Sequence, residues 1–127
     1  MGITKTKLGE YLTKAGYSSE EEDYGFIFKH KNLTFYILWD DEDDQYIRLM
    51  LPNIYNVDDN NRIKAIKAAN EVNIEWKVIK ALVFSENVWV AAEQLIDKDP
   101  NLADMIPRTL QILMSGRESF YEHLKSV

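Results

Sequence analysis

The apolar positions change period four times along the chain, and these changes divide it into elements. Over residues 4–15, Leu8, Tyr11, Leu12 and Ala15 fall at i, i+3, i+4, i+7, the stripe of an amphipathic helix. Thr4 or Thr6 can cap its start, and Gly16 is a suitable stop. "SSEEED", Ser18 to Asp23, reads as a solvated acidic linker. From Tyr24 the period is two. Tyr24, Phe26 and Phe28 alternate with Gly25, Ile27 and Lys29, and "HKN", His30 to Asn32, makes a turn. Leu33, Phe35, Ile37 and Trp39 then alternate with Thr34, Tyr36 and Leu38. After the acids Asp40 to Asp44, Ile47, Leu49 and Leu51 alternate with Tyr46, Arg48 and Met50, and Pro52, which cannot donate to a ladder, ends the run. Three strands joined by short loops make an antiparallel meander.

"NVDDNNRIKAIKAANEV" returns to the helical period, with Asp58 or Asp59 as cap, a stripe of Ile63, Ile66, Ala69 and Val72, and Asn73 as stop. Lys77 to Phe84 and Val88 to Gln94 form a hairpin turning at "SEN"; Val78, Leu82 and Phe84 share one face of its first strand, and Val88, Val90 and Ala92 one face of its second. The last helix starts at an Asp99 cap with Pro100 in the first turn. Leu102, Ile106, Leu110, Leu113, Phe120 and Leu124 repeat along it, Pro107 kinks or splits it with a bend near residues 103–107, and Gly116 softens its middle. The order α-β-β-β-α-β-β-α predicts an α+β fold, an antiparallel sheet covered by helices, in a single domain over residues 1–127.

The second faces of the strands carry the most functional information. If Phe35, Ile37, Ile47 and Leu49 point at the helices, then Tyr36, Leu38, Tyr46 and Met50 point the other way, and Trp89 can join them. An uncovered sheet face is ordinarily polar. An apolar one is covered either by further helices of the same chain or by another protein.

Composition narrows the rest. A net charge of −6 repels phosphate backbones, which speaks against nucleic acid as a partner. The absence of cysteine excludes disulfides, thiolate chemistry and Cys-bound zinc. No apolar stretch approaches the roughly 20 residues that span a bilayer, and the start "MGITKTKLGEYL" lacks a secretory h-region, so a cytoplasmic location is expected, with no membrane partner. "MGITKT" fits the loose myristoylation pattern, but that pattern is short and degenerate, and the same residues read better as the lead-in to a helix.

The five acids Asp40 to Asp44 raise the question of metal chemistry. Counted as a calcium loop from Asp40, position six is Gln45 and position twelve Leu51, and both fail; counted from Asp58, Ile63 and Asn70 fall there and also fail. Clustered carboxylates cannot be buried without partners, so they mark a solvent-facing turn that also blocks edge association of the sheet. His30 and His123 have no second ligand at metal spacing and are expected in solvent-exposed roles. Ser85, Ser115 and Ser119 lack a nucleophile-elbow context, and no Gly-rich phosphate loop exists. No catalytic residue, metal or cofactor is therefore assigned, and a non-enzymatic protein is expected.

The element order, the segment "NVDDNNRIKAIKAANEVN", the hairpin "VIKALVFSENVWVAAEQL" and the long final helix, together covering about residues 4–124, resemble the YbjN family, whose fold is that of the type III secretion chaperones. The resemblance implies a bacterial α+β domain, often a homodimer, that binds a protein segment in extended form; members are loosely labelled sensory transduction regulators. It brings no residue-level motif, and fold alone does not fix function. The reading that follows is a chaperone-like or regulatory binding module. A client strand adds to a sheet edge and buries side chains on Tyr36, Leu38, Tyr46, Met50 and Trp89. The alternatives are a structural or regulatory homodimer without a peptide client, and a small divalent-metal protein or enzyme using Asp40, Glu42 and Asp44. Calorimetry with calcium, magnesium and manganese separates the last from the others: the solvated-turn reading expects no heat at millimolar ion.

Overall fold

Alternation along the strands decides which side of the sheet is covered. The computed structural model describes residues 4–126. Its elements are α1 (Lys5–Lys14), β1 (Ser18–Glu22), β2 (Gly25–His30), β3 (Leu33–Leu38), β4 (Tyr46–Asn56), α2 (Arg62–Glu75), β5 (Ile79–Val83), β6 (Asn87–Leu95) and α3 (Leu102–Ser126). The strands form one six-stranded antiparallel sheet in the order β1-β2-β3-β4-β6-β5. Phe26 and Phe28, Phe35 and Ile37, Ile47, Leu49 and Leu51, Val88, Val90 and Ala92, and Ile79 and Ala81 are buried on one face. That core also contains Leu8 and Leu12 of α1, Ala65, Ala68, Ala69 and Val72 of α2, and Ile106, Leu110, Leu113 and Phe120 of α3. All three helices thus serve one side of the sheet. Burying these side chains removes them from water at about 25 cal/mol per Å² of apolar area, the dominant stabilising term.

Several local expectations are corrected. Ser18 to Glu22 is not a linker but an edge strand, paired with β2 from Ser18↔Lys29 to Glu22↔Gly25. Its serines and glutamates have poor strand propensity, and tertiary pairing overrides it. Gly25 sits at φ +145, and a Cβ there would collide with the Ile37 carbonyl oxygen, so this close approach between the start of β2 and the end of β3 requires glycine. Pro52 does not end β4. The strand continues to Asn56 past an irregularity between Leu51 and Tyr55, where Asn53 takes φ +54. A bulge frees Pro52 from any ladder donation, and the Tyr121 hydroxyl on α3 donates to the Ile54 carbonyl at 2.5 Å.

The stripe of α2 is also corrected. Ala65, Ala68, Ala69 and Val72, at i, i+3, i+4, i+7, face the core, while Ile63 and Ile66 lie outside at 70% and 49% exposure. The small side chains let α2 approach α3 and β5 closely, so residue size outweighs hydrophobicity in choosing the face. Asp58 organises the entry: its carboxylate accepts from Asn60 N and Asn61 N at 2.9 Å, and Asn61 Oδ1 accepts from Asp58 N at 2.8 Å. Helix α3 starts two residues later than expected. The Asn101 side chain accepts from Asp104 N at 3.2 Å, and the helix runs unbroken through Pro107. Gly116 does not loosen this helix; a Cβ there would strike Ile79 and crowd Val90, so glycine lets α3 lie on β5 and β6.

The two sheet edges are finished differently. Asn73 does not stop α2, which continues to Glu75. Its carboxamide reaches β5 instead, accepting from Ala81 N at 2.6 Å and donating to Ala81 O at 3.3 Å. This pair of bonds reproduces what a neighbouring strand would give at Ala81, the middle of the outer edge of β5. Asn73→Ala leaves both groups of the buried Ala81 peptide without partners. We expect a loss of about 1–3 kcal/mol in urea unfolding. Asn73→Asp, which keeps only the acceptor, should fall between the variant and the parent.

Candidate functional site

The side of the sheet away from the helices is built from the intervening residues. Cross-strand register sets Glu20, Ile27, Tyr36, Met50, Ala91 and Lys80 in one row across all six strands. The next row holds Glu22, Gly25, Leu38, Arg48 and Glu93. Trp89 stands opposite Leu82, and Tyr46 opposite Leu95. Tyr36, Leu38, Tyr46 and Trp89 are half-buried. Met50 and Ala91 are buried at 4% and 0% exposure although they stand apart from the helix-side core. Their cover comes from taller neighbours on the same face, so Met50 forms the floor of the patch and not its rim. No helix among the described residues packs there. The structure therefore brings Tyr36, Leu38, Tyr46, Met50 and Trp89 onto one helix-free face.

An aromatic chain runs obliquely over this face. Tyr24 and Tyr36 have ring centroids 5.8 Å apart, Tyr36 and Trp89 5.7 Å, and Trp89 and Phe84 5.9 Å, the last two edge to face. Trp89 is fixed by its Nε1–H, which donates to Asn87 Oδ1 at 2.7 Å. Tyr24 and Phe84 are 40% and 47% exposed and were not singled out from the sequence as surface residues. Alternation placed Tyr24 with Phe26 and Phe28. Its position in the two-residue turn after β1, where the period no longer applies, takes it out of that set. Phe84, two residues beyond Leu82, follows the alternation of β5 to the same face as Trp89.

Polar groups tie the middle of the face together. The Tyr46 hydroxyl donates to Glu93 Oε2 at 2.6 Å, and the Lys80 ammonium pairs with Glu93 Oε1. Burial, then the hydrogen bond to Glu93, pushes the Tyr46 phenol up to about 12. The hydrogen bonds from Lys80 and Tyr46 hold the Glu93 carboxyl below the usual range, and Arg48 adds to this. Arg48 Nε is buried without a hydrogen-bond acceptor.

At one corner the face opens into a hollow of about 520 Å³ lined by Tyr24, Leu38, Trp39, Asp40, Asp41, Glu42, Tyr46 and Arg48. The acidic run is its rim. All five residues from Asp40 to Asp44 are exposed. The turn closes on itself: Asp40 Oδ1 accepts from Glu42 N at 2.9 Å, Asp40 O from Asp43 N at 3.2 Å, and Asp43 Oδ1 from Gln45 N at 3.1 Å. Asp40, Glu42 and Asp44 do not converge, and no group of three His, Asp or Glu side chains among the described residues is disposed to hold a metal ion.

Elsewhere, Ser119 Oγ donates to Glu75 Oε1 at 3.5 Å and His123 Nε2 meets Glu75 Oε2 at 2.9 Å. The carboxylate separates hydroxyl from imidazole, so the nucleophile–base bond of a catalytic triad is missing. His30 is half-buried against Tyr17 and Phe35, at 5.6 and 6.2 Å between rings, and burial, then Lys31, holds its imidazole below the ordinary value. It is thus a packing residue, not the exposed one expected. Gly2, the myristoylation candidate, lies outside the described residues. No described helix is long and apolar enough to cross a membrane.

The Tyr46–Glu93–Lys80 group gives a pH signature. A phenol raised in the folded state contributes stability that is present below the ordinary tyrosine range and lost as pH rises towards about 12. A lowered carboxyl contributes above the ordinary glutamate range and loses it as pH falls through the folded value. Burial also raises Tyr11, Tyr17 and Tyr24, so ultraviolet titration should show several late tyrosine steps, the last of them that of Tyr46. Tyr46→Phe should abolish this last step and, by carbon-detected NMR, move the Glu93 carboxyl back towards its ordinary value.

No protein-family model matches the chain, and no curated protein matches it in sequence. Solved structures do match in shape. The crystal structure of YbjN from E. coli, named as a candidate transcription regulator, aligns with a TM-score of 0.72 at 12% identity, over 94% of this chain and 90% of that one. An uncharacterized protein from Methanothermobacter thermautotrophicus aligns with a TM-score of 0.67 at 9% identity, over 98% of both chains. At such identities the likeness is one of fold. The chain has a YbjN-like α+β fold.

Proposed function

We propose that this chain is a non-enzymatic binding module that receives an extended protein segment across the helix-free face of its sheet. The observation that carries this reading is the aromatic chain Tyr24–Tyr36–Trp89–Phe84 lying over a buried Met50 and Ala91, with no helix above it. Aromatic and Met side chains are enriched at protein interfaces and supply contact area at low entropy cost. Strand addition would take place at β1, because Asn73 occupies the middle of the β5 edge. The fold neighbour named as a candidate transcription regulator supports a regulatory setting. The net charge of −6 favours regulation through a protein contact over direct DNA binding.

A second reading is that another copy of the chain covers the same face, giving a regulatory homodimer. The exposed tyrosine and phenylalanine on the face favour it as much as they favour a client. Affinity capture from cytosol with mass spectrometry, run on the parent and on a Tyr36→Asp, Leu38→Asp double variant, tests the first reading. The parent should recover a defined partner and the variant should lose it; equal recovery by both removes the face from consideration. Light scattering on the same pair tests the second, which expects a dimer for the parent and a monomer for the variant. Circular dichroism establishes that the variant is folded.

A further inference from the structure

We infer that the segment received at this face is cationic, and that one of its lysine or arginine side chains enters the hollow between Tyr24, Trp39, Tyr46 and the acidic turn. This rests on the binding reading above and gives it a partner chemistry. The face is electrically polarised. Towards β5, the carboxylate of Glu93 answers Lys80 and acts on Arg48. Towards β1, the open-face positions are Ser18, Glu20 and Glu22, with one cation, Lys29, beside Ser18 on β2, and the exposed run Asp40–Asp44 lies beyond the end of β3. The excess negative charge therefore sits on the half that includes the unguarded edge. Its reach onto the aromatic rings is direct: Glu22 and Glu20 help raise the Tyr24 phenol, after burial, and Asp40 contributes to raising Tyr46.

The hollow itself favours a cation on two grounds. Its apolar walls are two tyrosines and a tryptophan, whose ring faces attract an ammonium or guanidinium group. Its rim carries the Asp41 and Glu42 carboxylates, which have no hydrogen-bond or ion-pair partner among the described residues. A long basic side chain lays its methylenes along Leu38 and its charge at the rim. Arg48 does not oppose this. Its single charge is outnumbered by Asp40, Asp41 and Glu42 on the same lining. An acidic segment would meet Glu20, Glu22 and the whole turn with Arg48 and the exposed Lys29 in its favour, and like charges at a contact are strongly disfavoured.

Three labelled synthetic peptides test the inference. All alternate valine or threonine with a variable residue, which is lysine, glutamine or glutamate at every second position. Fluorescence anisotropy against the full chain should give the lysine peptide an affinity about tenfold or more above the glutamine peptide, with no binding of the glutamate one; charge steering of this kind weakens as salt rises. Asp41→Asn with Glu42→Gln should lower the lysine peptide towards the affinity of the glutamine one. A lysine advantage undiminished by this double variant overturns the placement in the hollow, and a glutamine or glutamate peptide that binds the parent as well as the lysine one overturns the cationic inference, while in both cases the docking face stands. Failure of every peptide to bind, or equal binding by the folded Tyr36→Asp, Leu38→Asp variant, overturns the docking face as well.

Discussion

Everything in this molecule depends on a sheet whose two faces are made from alternate residues but only one of which is buried by helices. The period of two sends Phe26, Phe28, Phe35, Ile37, Ile47 and Leu49 to the helix side, where α1, α2 and α3 share a single core with them. That side supplies the stability. The same period sends Ile27, Tyr36, Leu38, Tyr46 and Met50 to the other side, where no element of the described chain answers them. A strand cannot be turned over to hide the second set without exposing the first. The open aromatic face is thus a consequence of the sequence pattern, retained at the cost of wetting part of it.

The meander, the hairpin and the three helices were legible because burial imposes their periods directly. Where the reading failed, a second force had entered. Ser18 to Glu22 has the composition of a linker, and only the hydrogen-bonding capacity of β2 makes it a strand. In α2 the isoleucines suggested one face and packing chose the alanine face, since distance between backbones, not hydropathy, limits how α2, α3 and β5 come together. Pro52 carries a stop signal, but a bulge accommodates it, and the Tyr121 hydroxyl that meets this bulge lies 67 residues away along the chain. The role of Asn73 was invisible for the same reason: a helix-ending residue and an edge-guarding one look alike until β5 is beside it.

The candidate site was legible in part. Alternation grouped Tyr36, Leu38, Tyr46 and Met50, and the register adds the row that links them to Ala91 and Lys80. Tyr24 escaped because it lies in a turn where the period lapses, and Phe84 because only the register of β5 on β6 shows that its face is the one carrying Trp89. The acidic run, which as a sequence motif pointed to a simple turn, becomes more informative in place: a turn it is, yet it borders a hollow walled by aromatic rings.

The carboxamide at the edge of β5 has a bearing on self-assembly. A sheet with two open borders can join head to tail without limit, each copy offering one border to the next, and grow into a filament. Here the Asn73 carboxamide takes up both backbone groups of Ala81 at the middle of one border, which hinders a second copy from adding there. Copies meeting β1 to β1 would make a closed two-fold arrangement, and there glutamate would confront glutamate. Polymerisation is thereby discouraged twice over, by a partly plugged border and by a self-repelling one, while a foreign strand of opposite charge keeps its access.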